Sequence, residues 1–207
     1  MGLVKLNDRG VRNATAYGSL SFGSMIFIKK LTSDGSDDTL SFVDGTDDVV
    51  LDSTYKEYLF IFNNIHPETD AEDFTFQGNA AGGSGYNETV TTTTFAAEHS
   101  ESGDTVEAVA YDTSPDQNQG TSFQVLAKQV GNGNDESISG FLQLFNPSST
   151  TFVKHFLSRS SYYYSSDRSV DMFVAGYFNT TTAIDEIQFK MSADEIQAGT
   201  ISLYGIK

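Results

Sequence analysis

The sequence predicts an all-β fold, an antiparallel β-sandwich or jelly roll with an N-terminal extended arm and hairpin, and three observations predict it. The composition is β-like: among 207 residues, 13% are aromatic, 18 are glycine, 3 are proline and none is cysteine. Nowhere do apolar residues recur at three- and four-residue steps over four turns, as an amphipathic helix would require. About ten short runs of β-branched and aromatic residues are spaced by Gly, Asn and Asp turn signals. The third observation is Tyr58 to Phe62, which is apolar on both alternating faces, Leu59 and Ile61 on one and Tyr58, Phe60 and Phe62 on the other. Such a run reads as a strand covered from two sides, with one sheet beneath it and something else above.

Taken in order, residues 1–23 mix basic and small residues with scattered apolar ones, and glycines at 10, 18 and 23 break any long helix. A segment with so little to bury is expected to be disordered or laid along a partner. Met25 to Lys29 and Thr39 to Val43 form two short strands around the turn Asp34-Gly35-Ser36-Asp37-Asp38, which predicts a hairpin. Residues 1–50 are therefore assigned to a docking arm and hairpin, and residues 51–207 to the sandwich. Pro67 ends the central run, because proline has no N–H to give to a ladder. Strands are expected at 73–77, 86–95, 106–111 and 121–130, and again at 137–145, 152–159, 170–178, 187–191 and 200–204. Ser192-Ala193-Asp194-Glu195 has the residue types of a capping box, enough for one helical turn.

The charge excludes several partners. A net charge of −16 opposes nucleic-acid binding, which works through phosphate neutralisation by Lys and Arg. No apolar run approaches a membrane span, and the leading residues lack the apolar core of a signal peptide, so a soluble chain made in a cytoplasm is expected. Without cysteine there is no thiolate nucleophile, zinc–thiolate site or iron–sulfur cluster. The charge is uneven: Lys5, Arg9, Arg12, Lys29 and Lys30 stand against Asp8 alone in the first 30 residues, ahead of a strongly acidic body.

Candidate chemistry is sparse. His66, His99 and His155 stand at no metal-binding spacing, and Gly82-Gly83-Ser84-Gly85 lacks the second glycine of a nucleophile elbow because Tyr86 follows. Asp112, Ser114, Asp116 and Asn118 alternate as calcium ligands can, and Asp34/Asp37/Asp38 and Asp44/Asp47/Asp48 cluster. Pro115 and Phe123 rule out an EF-hand loop, and solvated turns are the stronger reading. No catalytic residue, cofactor or metal is assigned. Tyr162-Tyr163-Tyr164 is a candidate aromatic recognition patch for protein or sugar, although three successive strand residues must point both ways, which puts at least one in the core.

Three pieces, Tyr55 to Asp70 (YKEYLFIFNNIHPETD), Gly140 to Phe156 (GFLQLFNPSSTTFVKHF) and Gly176 to Lys207, occur in an order that resembles small jelly-roll proteins encoded among the virion structural genes of marine tailed phages, such as phages of cyanobacteria. Leu3 to Gly10 and Phe42-Val43-Asp44-Gly45 also resemble the front of some members, so the likeness runs over nearly the whole chain. It implies a non-enzymatic virion protein displayed on the particle surface, as capsid decoration or cement or as a tail-attached, fibre-like appendage. Its expected partners are other virion proteins, capsid or tail subunits, and copies of itself in a homo-oligomer, expected to be a trimer. Lys5, Arg9, Arg12, Lys29 and Lys30 are the expected docking residues. The rival reading is a module that binds carbohydrate or a host receptor, with a host-surface glycan as partner, since jelly rolls host many lectins. Gly205 is expected where a side chain would crowd a neighbouring strand or a subunit partner.

Overall fold

The computed structural model describes residues 24–103 and 107–207. Thirteen strands, all paired antiparallel, make up the regular structure of these residues, which include no helix. Eight of them form a rolled hairpin. β1 (Met25–Thr32) pairs with β13 (Ile196–Ile206), β2 (Leu40–Val43) with β12 (Ile184–Met191), β3 (Glu57–Pro67) with β9 (Ile138–Phe145), and β4 (Glu72–Ala80) with β8 (Gln124–Val130). Early strands thus pair with late ones in reverse order, and the two arms split into sheets ordered β1-β13-β3-β9 and β2-β12-β4-β8. That connectivity is a jelly roll.

The remaining strands are two excursions. β5 (Val90–Ser100), β6 (Glu107–Tyr111) and β7 (Asn118–Gly120) lie between β4 and β8 in sequence, and β10 (Lys154–Tyr164) and β11 (Arg168–Phe178) lie between β9 and β12. Both excursions add to the same sheet, which becomes β1-β13-β3-β9-β10-β11-β5 with β6 and β7 along the far side of β5. A single bridge, Tyr164 to Val130, ties this large sheet back to the small one.

The core lies between the sheets. Phe189 of β12 meets Phe60 and Phe62 from the large sheet at ring separations of 5.5 and 5.3 Å, and Phe42, Phe74 and Phe76 from its own sheet at 6.3, 5.9 and 6.1 Å. Edge-to-face and offset contacts of this kind add to the burial of the rings themselves. Phe156 and Phe178 extend the cluster under the excursion strands.

The first two strands do not pair as the expected hairpin. β1 joins the large sheet and β2 the small one, and Ile28, Leu40, Phe42 and Val49 are core residues. Residues 24–50 are therefore integral to the sandwich, and no structural boundary falls at residue 50. Residues 1–23, the expected arm, lie outside the described residues. The helical turn expected at Ser192 is a bend, because the Ser192 hydroxyl accepts the Asp73 N–H and its own N–H goes to Asp73 O at 2.8 Å, while Asp194 takes a φ of 53°. The strand Phe145 ends at Asn146, whose φ of 47° suits asparagine and whose N–H reaches Lys56 O at 2.6 Å. Gly205 is required by its own chain: a Cβ there would enter the Tyr55 ring.

Candidate functional site

The excursion strands extend a surface that faces away from the core. Directly opposite residues of an antiparallel pair share a face, so the ladders fix one continuous row from β3 to β6: Ile61, Phe141, Arg159, Phe173, Phe95 and Tyr111. Beside it runs a second row of Leu59, Gln143, Leu157, Ala175 and Thr93. The expected two-sided cover of Tyr58 to Phe62 is thus met on one side only. Tyr58, Phe60 and Phe62 are buried, whereas Leu59 and Ile61 are partly open on this outer face.

The face exposes several large apolar side chains. Phe95 is 45% exposed, Leu157 46%, Tyr111 59% and Val109 79%. Two shallow depressions of about 370 and 420 Å³ adjoin there, sharing Thr93, Leu157 and Ala175. Its polar groups are paired with one another. Arg159 clasps Asp171 with Nε to Oδ1 at 2.9 Å and Nη2 to Oδ2 at 2.6 Å, and Gln143 donates to Glu57 at 2.7 Å. The Arg159 guanidinium lies 4.8 Å from the centre of the Phe173 ring, and Phe173 and Phe95 are parallel to within 6° at 4.7 Å. Because β10 and β5 flank β11 on opposite sides, the cation and the second ring take the two faces of Phe173. Sugars stack on open ring faces, whereas here both faces of Phe173 are already in use.

The structure places the other candidates as follows. Lys5, Arg9 and Arg12 lie outside the described residues. Lys29 donates to Asp47 O at 2.9 Å, and Lys30 is exposed on β1 opposite Ser202. The three tyrosines do not form one patch. Tyr162 is in the core, Tyr163 donates its hydroxyl toward Glu101 and Asp167, and the Tyr164 ring lies under the Arg168 guanidinium at 5.3 Å with its hydroxyl on Gln129. The histidines are apart: His66 Nδ1 sits 2.6 Å from Glu136 O, His99 faces Glu107 at 3.3 Å, and His155 packs on Tyr177.

The acidic loops are spent on their own turns. Asp112 accepts the Lys128 ammonium at 2.6 Å as well as Ser114, so a protein cation fills the place proposed for calcium. Asp34 accepts from Ser36, whose hydrogen bonds hold its carboxyl below the usual aspartate range, and Asp44 accepts from the Leu51 N–H. No group of three or more His, Asp or Glu capable of holding a metal occurs among the described residues.

Lys154 was not foreseen from the sequence. Its side chain is fully buried at the start of β10, its ammonium donates to Thr180 O at 3.0 Å, and burial pushes its pKa down from the usual lysine value. It props the loop after β11 and does not reach the outer face. No family model, curated protein or solved structure matches the chain.

Proposed function

We propose that this chain is a non-enzymatic structural subunit of a virion, displayed on the particle surface as a decoration or appendage protein and held by protein–protein contacts. The observation that carries the reading is the uncovered outer face of the large sheet. At about 4.8 Å per strand and about 6.8 Å between same-face rows, the two rows from β3 to β6 have a footprint of roughly 400 Å², about half the ~800 Å² that one partner contributes to a standard interface. Its aromatic and Arg content with paired charges is the composition of an interface centre. Large exposed apolar patches on soluble chains mark contact sites.

The jelly-roll connectivity supports the reading by analogy, since capsid domains share it with lectins. In this reading the basic residues Lys5, Arg9 and Arg12 anchor the acidic body to a neighbouring subunit. The glycan alternative is weakened by the occupied ring faces of Phe173 and by the dispersal of Tyr162, Tyr163 and Tyr164 to separate environments.

The test is quantitative mass spectrometry of particles purified from the source that encodes the chain, for the wild type and for Leu157→Asp. A fixed copy number per particle that drops sharply in the variant supports the reading. Absence from particles overturns it, as does specific glycan binding by the isolated chain that is lost when Phe95 is replaced.

A further inference from the structure

A sheet edge presents unpaired N–H and C=O groups, and natural proteins blunt it with charged residues, bulges, prolines or very short strands. The edges of this molecule are not treated alike. β1, at one end of the large sheet, carries Lys29 and Lys30 and a register break between Phe27 and Lys29. β7 is only three residues long and β2 four. β6, at the other end, has no lysine, proline or register break. It reads Glu107-Ala108-Val109-Ala110-Tyr111, is exposed along its whole length, pairs only with β5, and bears one charge at its first residue. Val109 is the most open large hydrophobic residue among those described, at 79%.

We propose that β6 pairs antiparallel with β6 of a second copy of this chain, joining two large sheets into one across a two-fold axis at Val109. The choice of a second copy rests on the assembly reading above and on the self-complementarity of the strand. With Val109 opposite Val109, Ala108 meets Ala110, and Glu107 meets Tyr111 and not another Glu107. Two chains of net charge −16 thus approach where the strand itself carries one carboxylate, Glu107, which lies 3.3 Å from His99, and where the Tyr111 hydroxyl is engaged by Asp116 of its own chain. Like charges directly opposite would be destabilising, and this register avoids them. The small Ala side chains leave the approaching backbone unobstructed. Val109 and Tyr111 also belong to the outer face, beside Ala97 and Phe95 in the ladder. Pairing therefore merges the two apolar faces into one surface of double width, so that a contact of few residues organises a larger one. The mode is β-strand addition, with backbone hydrogen bonds giving affinity and alternate side chains fixing register.

The chain contains no cysteine, so a single introduced thiol reports on one contact. In the full-length protein, Val109→Cys is expected to form an inter-chain disulfide under mild oxidation at least tenfold faster than Ser161→Cys, an exposed control on the same sheet face. Sedimentation should give a dimer for the wild type and for Val109→Thr, and a monomer for Val109→Lys, whose Kd rises at least tenfold while its far-UV circular dichroism stays unchanged. Equal cross-linking rates at positions 109 and 161, or a dimer indifferent to Val109→Lys, overturns the β6 contact and leaves the particle reading standing. Cross-linking at 109 in a chain absent from particles would keep the dimer and remove the particle role.

Discussion

Replacing Phe189 with alanine tests the account of how the two sheets are held together. The ring has no solvent exposure and contacts five other rings, two of them across the sandwich on β3. Losing roughly 150 Å² of buried apolar surface at about 25 cal/mol/Å² costs about 4 kcal/mol. Edge-to-face pairs add about 0.5–1.5 kcal/mol each where they are not replaced, and partial collapse of the site returns some of that. The expected loss is therefore about 5 kcal/mol, a third or more of the ~5–15 kcal/mol by which a domain is stable. Phe189→Leu should cost far less, about 1–1.5 kcal/mol, because most of the volume remains. The assay is urea unfolding followed by tyrosine fluorescence and far-UV circular dichroism, since the chain has no tryptophan. Phe152→Ala, at a 69% exposed site, is the control and should stay within about 0.5 kcal/mol. A loss below about 2 kcal/mol at Phe189, with an unchanged denaturant slope, would refute the picture of a ring hub joining the sheets.

Other outcomes follow from single residues. Gly205→Ala should cost about 1–3 kcal/mol through the clash with Tyr55, and Tyr55→Ala should recover part of it, as measured by a double-mutant cycle. Asp73 has its pKa raised above 3.8 by burial, so the folded chain takes up that proton first and stability rises as pH falls from the raised value to 3.8. Asp73→Asn should remove this increment in melts taken across that window. Lys154 has its pKa lowered below 10.5 by burial, so the cost of its buried ammonium is fully present below the lowered value and is relieved as pH rises toward 10.5. Lys154→Met should abolish this alkaline gain in stability. Millimolar calcium should leave the melting temperature unchanged, because Lys128 neutralises Asp112; a rise of several degrees would place a cation site where the ammonium now lies.

Much of the sandwich is legible in the sequence because strands announce themselves locally. The alternation in Phe156, Ser158 and Ser160 against His155, Leu157 and Arg159 gives one buried and one open face of β10, and period two alone requires one of three successive tyrosines to be inside, where Tyr162 is found. Partner choice is not local. β1 and β2 are separated by an acidic turn that looks like a hairpin loop, yet their ladders lie with β13 and β12 at the other end of the chain, and no short-range pattern records that. The outer face is half legible: Leu59 and Ile61 declare that β3 is apolar on both sides, but only the ladders show that Phe141, Phe173 and Phe95 continue their row. Lys154 is illegible in principle, because a lysine heading a strand looks solvated until the loop carrying Thr180 closes over it.

The two excursions leave the rolled hairpin and rejoin it along one flank, where alternate residues turn inward to the ring cluster and the rest face outward. Variation in that flank would alter what the molecule adheres to while the phenylalanine centre keeps its geometry. Selection for tighter or altered neighbours could thus act on one side of the molecule at little expense to folding.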